Sequence, residues 1–226
     1  MSLTATQAHL GFEDEHFVIA WKPHGILTSG NSGRTFDRIV NRTLCIPPGS
    51  GVLPCNRLDF GTSGWVVFGK YKQAARAMGL LFEKRSITKR YVALVHEQFP
   101  IAMTTAWPLD GKPATTHLAL LAKGRIAGAG PVSFIHAEPI TGRTHQIRRH
   151  LFQSGHGIVG DDHYGIPGNR YKGKGLFLCA YGVAFNHPMI HHFKVDIEAK
   201  PSRKFRKLPF VDQSDFIRRF NLSSCE

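Results

Sequence analysis

The chain has 226 residues, 42% of them hydrophobic, which allows a sizeable core and excludes general disorder. No window approaches the ~20 apolar residues that cross a bilayer, residues 1–11 lack the basic start and apolar run of a secretory signal, and Cys45, Cys55, Cys179 and Cys225 form no C-x-x-C pair, which argues against a zinc knuckle or disulfide framework and fits a reducing cytoplasm. The 29 Lys and Arg against 16 Asp and Glu leave a net +13, which implies an anionic partner, nucleic acid well ahead of a membrane surface.

Residues 16–21 (His-Phe-Val-Ile-Ala-Trp) read as a short strand. Lys22-Pro23-His24-Gly25 ends it, because proline removes a donor and glycine permits a sharp turn. Residues 35–44 carry apolar side chains at 36, 39, 40 and 44, a helical spacing. After a breaker at 47–51, residues 56–70 divide into two unlike halves. Trp65 to Phe68 is an uninterrupted aromatic and β-branched run and reads as a buried strand. The polar turn before it holds Gly61 and Gly64, with Arg57 and Asp59 two residues apart. A turn at the mouth of a buried strand is where a chemical group can face a cleft. Taken alone, it reads more simply as a turn capped by Asp59 beside a surface Arg57.

Residues 74–82 suit a helix with Ala75, Met78, Leu81 and Phe82 on one side, and residues 89–95 return to strand character. Residues 104–121 read as extended segments interrupted by Pro108 and Pro113, residues 123–130 as an exposed loop of small residues, and residues 132–137 as a strand. A helix is predicted over 144–154, with Gly155 where a left-handed cap belongs. A loop at 157–168, strands at 175–185 and 192–199 and a terminal helix at 212–220 complete the chain, with five cations in the eight residues 200–207. No repeat or linker marks a boundary, so a single domain over 1–226 is expected: a core at about 12–200 and a basic C-terminal segment and helix at 201–226. Strands outnumber helices without strict alternation, which predicts an α+β fold, a mixed, mainly antiparallel sheet with helices packed on it and a cleft across the sheet.

The helix near 144 contains an anomaly. Its apolar positions are Ile147, Leu151 and, less centrally, Phe152; at 100° per residue Arg148 lies beside that stripe, whereas Arg149 and His150 point elsewhere. A buried arginine without a partner is very costly. Any of the 16 acids could serve. Pairing with Asp59 would make chemical sense, because a guanidinium holds a carboxylate ionised and fixes its direction. Periodicity leaves open the alternatives, snorkelling to solvent or pairing with a nearby structural acid.

These residues also carry a resemblance. Asn56-Arg57-Leu58-Asp59 with Thr62-Ser63-Gly64 is similar to the H-R-L-D-x-x-T-S-G motif of the RluA-type pseudouridine synthases. Gly142-Arg143-Thr144-His145-Gln146-Ile147-Arg148 with His150 and Leu151 resembles their G-R-T-H-Q-I-R-x-H-L, and 155–165 their G-H-P-I-x-G-D-x-x-Y-G. Lys22-Pro23-His24-Gly25 resembles K-P-x-G, Lys89-Arg90-Tyr91 resembles K-x-Y, and the strand end at 185–188 resembles F-x-H-P. The motifs occur in the family's order. Asn56, Gly157 and Cys179 depart from it, standing where the family usually has histidine, proline and histidine.

The resemblance implies isomerisation of a uridine in structured RNA, tRNA or rRNA, to pseudouridine, without cofactor or metal. It assigns Asp59 as nucleophile, Tyr91 as the ring stacked on the target uracil and Arg148 as partner of the aspartate. Arg57 fills the space of the flipped nucleotide, and Thr62, Ile147, Lys22 and Arg143 join it as substrate-binding residues. His145 reads as structural. RNA contacts are expected near Arg34, 123–125, 170–174 and 200–207, from a cytoplasmic protein, without membrane or metal partners and expected to be a monomer. Two rival readings are a metal-dependent hydrolase built on His156, Asp161, Asp162 and His163, which lack the spacing of a known site, and a non-catalytic RNA-binding protein derived from a synthase.

Overall fold

The first strand was not foreseen. In the computed structural model, which describes residues 7–31, 33–47, 50–165 and 175–211, β1 (His9–Glu13) alternates half-buried and exposed residues, and Gly11 in its middle weakens its strand pattern. That glycine has a packing reason: a Cβ there would lie 2.5 Å from the Trp65 ring. The chain forms two compact units, Met1–Ile87 with Gly182–Ile197, and Thr88–Tyr181 with Glu198–Glu226.

In the first unit β2 (Phe17–Lys22) lies between β1 and β4 (Ser63–Gly69), antiparallel to both. The two-residue β3 (Leu53–Pro54) also pairs with β4. The predicted strand at 16–21 is β2 displaced by one residue, the predicted 65–68 lies inside β4, and every residue of β4 is buried. Val18 faces Phe68 across the ladder and Lys22 faces Gly64. Helix α1 (Phe36–Thr43) buries Phe36, Ile39 and Val40, as its spacing predicts. Helix α2 (Lys72–Glu83) approaches β4 so closely that a Cβ on Gly69 would stand 2.6 Å from the Ala75 nitrogen.

The second unit is an antiparallel array in the order β5-β8-β7-β6, built from β5 (Thr88–His96), β6 (Ala102–Thr105), β7 (Thr116–Ile126) and β8 (Gly130–Pro139). The expected loop at 123–130 is instead the tip of a hairpin. Lys123 pairs with Ser133 and Gly124 with Val132, because a partner strand completes the backbone ladder whatever the small side chains prefer. Helix α3 (Gln146–Gln153) ends before Gly155, whose φ of +81° is the expected left-handed cap.

Strand β9 (Leu178–Asn186) carries the chain from the second unit into the first, and β10 (Lys194–Glu198) returns it. The one-turn α4 (Arg203–Arg206) lies in the basic run. Its Phe205 is buried against Phe134 and Phe177, with ring centroids 5.9 and 5.4 Å away. The Lys204 ammonium bonds the Leu176 carbonyl and lies 4.7 Å from the Phe177 ring centroid. One of the five cations is therefore an anchor. The terminal helix expected at 212–220 and the loop at 170–174 lie outside the described residues. No helix among the described residues is long and apolar enough to cross a membrane. Strands in antiparallel arrays with a few helices make this an α+β fold.

Candidate active site

In the first unit the turn before β4 is pinned residue by residue. The Asn56 Oδ1 accepts the Val67 N–H at 2.8 Å, so an amide oxygen serves where the family motif has histidine. The Leu58 N–H donates to the Thr28 hydroxyl, and that hydroxyl donates to the Leu58 carbonyl, both at 3.1 Å. The Thr62 N–H closes the turn on the Asp59 carbonyl at 3.0 Å, and the Gly25 N–H donates to the Phe60 carbonyl at 2.7 Å. Gly25 takes a φ of +77°, which glycine adopts at no steric cost. Asp59 sits half-buried in the middle, flanked by exposed Arg57 and Phe60. Thr62 and Ser63 are buried, and among the described residues their hydroxyls find no hydrogen-bond partner.

Lys22, expected among the RNA contacts, lies inside the protein with 0% of its surface exposed. Its ammonium donates to the carbonyls of Pro23 at 3.1 Å and Ile26 at 2.8 Å. Burial pulls its pKa down to about 7, against the opposing pull of the Asp59 carboxylate.

In the second unit α3 is set by a chain of directed hydrogen bonds. The Thr141 hydroxyl and the Arg143 N–H donate to Gln146 Oε1 at 2.6 and 3.0 Å. Gln146 Nε2 donates to the Thr115 carbonyl at 2.9 Å and the Thr116 hydroxyl at 3.0 Å. His150 continues the chain, its Nδ1 2.9 Å from the Thr116 hydroxyl and its Nε2 3.0 Å from the Trp107 carbonyl. A carbonyl only accepts, so Nε2 carries the proton and Nδ1 accepts from Thr116. Burial lowers the His150 pKa, which favours this neutral ring. The expectation that His150 points away from the packed face is therefore corrected: it is 0% exposed, because β7 and the Trp107 carbonyl give a polar ring two partners there. Arg149 does lie outside, bidentate on Asp110 at 2.8 and 3.0 Å.

Arg148 is 6% exposed. Its Nε and Nη2 donate to the two oxygens of Asp161 at 2.7 and 2.8 Å. Asp161 Oδ1 also accepts the N–H groups of His163 and Tyr164, both at 3.0 Å. Burial alone would raise the Asp161 pKa, but Arg148 and the two N–H donors outweigh it and the net direction is down. The guanidinium carbon lies 5.1 Å from the Tyr164 ring centroid. Asp161 thus joins the arginine, and its exposed neighbour His163 enters that bond set through its backbone N–H.

Tyr91 stands on β5 in line with Ala137 and Leu118 across the ladder. Thr116, two residues from Leu118, reaches Gln146 and His150 of α3. Side chains two apart on a strand share a face, so half-buried Tyr91 is on the α3 side. Lys89, on the same face, donates to the Thr141 carbonyl at 2.8 Å, and burial pulls its pKa down to about 8. Ile147 is buried, and the half-buried Arg143 donates from Nε to the Pro113 carbonyl at 3.1 Å. His145, in the left-handed conformation at φ +53°, stands at the N-terminal boundary of α3, and its ring lies 3.3 Å from the Tyr164 hydroxyl.

Of the expected site residues, Lys22, Arg57, Asp59 and Thr62 share the pinned turn and its support, while Tyr91, Arg143, Ile147 and Arg148 share the α3 face of the second unit. Sequence reasoning gave Asp161, Thr116 and Gln146 no such role. The available signals were polar residues at core-facing positions and an acid in a glycine-rich loop. Each unit supplies parts of its own: a carboxylate on a pinned turn in the first, and an aromatic side chain and a guanidinium held by two bonds in the second.

The family model described as RNA pseudouridylate synthase matches residues 16–153. Ribosomal large subunit pseudouridine synthase C of Vibrio parahaemolyticus is 32% identical over 216 residues, 87% of this chain and 67% of that protein. Dual-specificity RNA pseudouridine synthase RluA of Pasteurella multocida is 32% identical over 194 residues, 78% of this chain and 85% of that protein. Matches to three ribosomal large subunit relatives span 61–67% of their length. The structure of human RNA Pseudouridylate Synthase Domain Containing 1 superposes with a TM-score of 0.75 at 21% identity, over 99% of this chain and 98% of that one, which shows likeness of fold.

Proposed function

The chain belongs to the RNA pseudouridylate synthase family, and on that premise we propose that it isomerises a specific uridine in a structured tRNA or rRNA to pseudouridine, with Asp59 as the nucleophile. The observation that carries the reading is the Asp59 turn, held by bonds at residues 56, 58, 60 and 62 with Asp59 itself only half-buried. A nucleophile held this way splits one difficult step into two easier ones. The N1–C1′ bond breaks, the uracil turns, a C5–C1′ bond forms, and the proton lost from C5 is balanced by one gained at N1, so no redox partner is needed.

The target base leaves its stack to react, at a cost of a few kcal/mol. Tyr91 supplies the ring on which it stacks, Arg57 occupies the vacated space, and Arg148 acts with Asp59 and Tyr91 as the catalytic arginine. Thr62, Ile147 and Arg143 line the nucleotide's site. Exposed Arg34, Lys123, Arg125, Lys200, Arg203, Arg206 and Lys207 bind the phosphate backbone.

Asp59→Asn tests the assignment. Pseudouridine is mapped site by site in rRNA and tRNA from cells lacking the protein and complemented with wild type or variant. The expected result is loss of one or a few sites with the deletion, restored by wild type alone. Restoration by Asp59→Asn refutes the nucleophile, and no lost site on any tRNA or rRNA leaves the binding protein as the better reading.

A further inference from the structure

The loop from β6 to β7 is pinned along its length. Pro108 disfavours helical backbone at Trp107 before it, and the Trp107 carbonyl accepts the His150 Nε2 proton. Leu109 is 0% exposed and exchanges backbone bonds with Lys112 at 2.9 and 3.0 Å. Arg149 clasps the Asp110 carboxylate in the turn between them, and Arg143 Nε donates to the Pro113 carbonyl.

On this loop Trp107 keeps 47% of its surface exposed, whereas Trp65 is buried. A lone exposed ring needs no explanation. This one borders a cavity of about 470 Å³, within the size range of small-ligand sites, which Met103, Thr105, Gln153 and Ser154 also line. Thr105 is 4% exposed, and among the described residues its hydroxyl has no hydrogen-bond partner. Across the ladder it faces Thr116, which reaches α3, so the Thr105 side chain lies on the α3 side of the strands. Gln153 is exposed and brings an amide with two donors and an acceptor.

The lining holds an aromatic face, a hydroxyl and an amide, and no charged side chain. That set suits a planar, neutral ligand with polar edges. Charge lies beside it: Lys112 is exposed on the same loop, and the loop ends on the partner of Arg143, assigned above to the nucleotide's site. At 3.6 residues per turn Gln153 stands about 140° around α3 from Arg148, so the cavity is not on the arginine's side of the helix.

We infer that this cavity is a second base-binding site: an unpaired nucleobase of the RNA, other than the target uridine, stacks on Trp107 and turns its polar edge to Thr105 and Gln153. The ring supplies affinity, because every base has a π-face, and the amide and hydroxyl supply selectivity among bases. The pinned loop holds the ring in place before RNA arrives, which lowers the ordering cost of binding. The inference rests on the reading that the chain acts on RNA.

The test uses the full chain with two single-stranded probes of equal length, an adenylate oligonucleotide and an abasic one with the same phosphates. Trp107→Leu should weaken binding of the adenylate probe roughly fivefold or more, the low end of one base–aromatic stack. The salt slope should stay the same, because no cation is lost. Trp107→Tyr should retain most of the affinity, and the abasic probe should bind wild type and Trp107→Leu alike. Equal adenylate affinity in wild type and Trp107→Leu overturns the inference, and so does an equal loss on the abasic probe.

Should Trp107→Leu not fold, wild-type fluorescence decides. Trp65 is buried and Trp21 half-buried, so acrylamide reaches Trp107 most readily. The adenylate probe should shield that emission and the abasic probe should not; emission equally open to acrylamide with either probe overturns the site. Binding and pseudouridine mapping fail separately. Shielding of Trp107 with no pseudouridine made upholds this site and sinks the enzyme, and pseudouridine made without shielding does the reverse.

Discussion

Asparagine at position 161 would remove one charge and one acceptor from the core of the second unit. The wild-type carboxylate takes four N–H donors: Arg148 Nε on one oxygen, and Arg148 Nη2 with the His163 and Tyr164 amides on the other. If the asparagine oxygen keeps the three-donor place, its NH₂ group meets Arg148 Nε–H, donor against donor. If it flips, three donors lose their acceptor. Either way a 6% exposed guanidinium loses the charge of Asp161 beside it. Breaking a buried pair from one side costs about 3–5 kcal/mol, and the retained half of the fork places Asp161→Asn near 3 kcal/mol. For a chain of this size that lowers Tm by about 6–12 °C.

The assay is urea unfolding followed by tryptophan fluorescence, wild type against variant, across pH. The folded Asp161 pKa lies below its ordinary value. Its stabilisation is therefore complete above the unfolded pKa and disappears as pH falls through the folded one. The gap between the two proteins should stay constant from pH 7 to 5 and close only below about pH 4. A gap under about 1 kcal/mol at pH 7, or one that closes between pH 7 and 5, would refute the reasoning.

Lys89, held near a pKa of about 8 by burial, binds fewer protons folded than unfolded between that value and its ordinary 10.5. Wild-type stability should accordingly rise relative to Lys89→Met as pH goes from 8 to 10, by roughly 2–3 kcal/mol; a constant difference in urea midpoints contradicts this. Reversing Arg203, Arg206 and Lys207 to glutamate should weaken RNA binding and flatten its log–log salt dependence by about 0.7 for each phosphate no longer neutralised, and a binding assay that shows the original slope removes that surface from the RNA interface.

Local chemistry alone placed most elements. Phe36, Ile39 and Val40 at helical spacing became the buried side of α1, Trp65 to Phe68 became the middle of β4, and Gly155 became the left-handed cap of α3. The motif positions were legible for the same reason: a glycine turn before a buried strand and an arginine beside an apolar stripe are patterns within a few residues of each other. Partner choice was not legible, because every acid in the chain is equivalent until folding brings one close. The acid that takes Nε and Nη2 of Arg148 is Asp161, delivered by a loop that also supplies two backbone donors. Nor could periodicity place His150 inside, since its donor and its acceptor come from β7 and Trp107, far away in sequence.

By itself, then, the sequence determined most of the element types, the buried strand behind Asp59, a net charge of +13 and the order of the family's motifs. Only the tertiary structure decided that Lys22 is an internal charge and not a surface one, that 123–130 is a hairpin tip, and that Arg148 is fixed by Asp161. The physical reason is common to all three. Burial, strand pairing and ion pairing depend on which distant groups share a place, and their energies of several kcal/mol exceed the local preferences that a sequence displays.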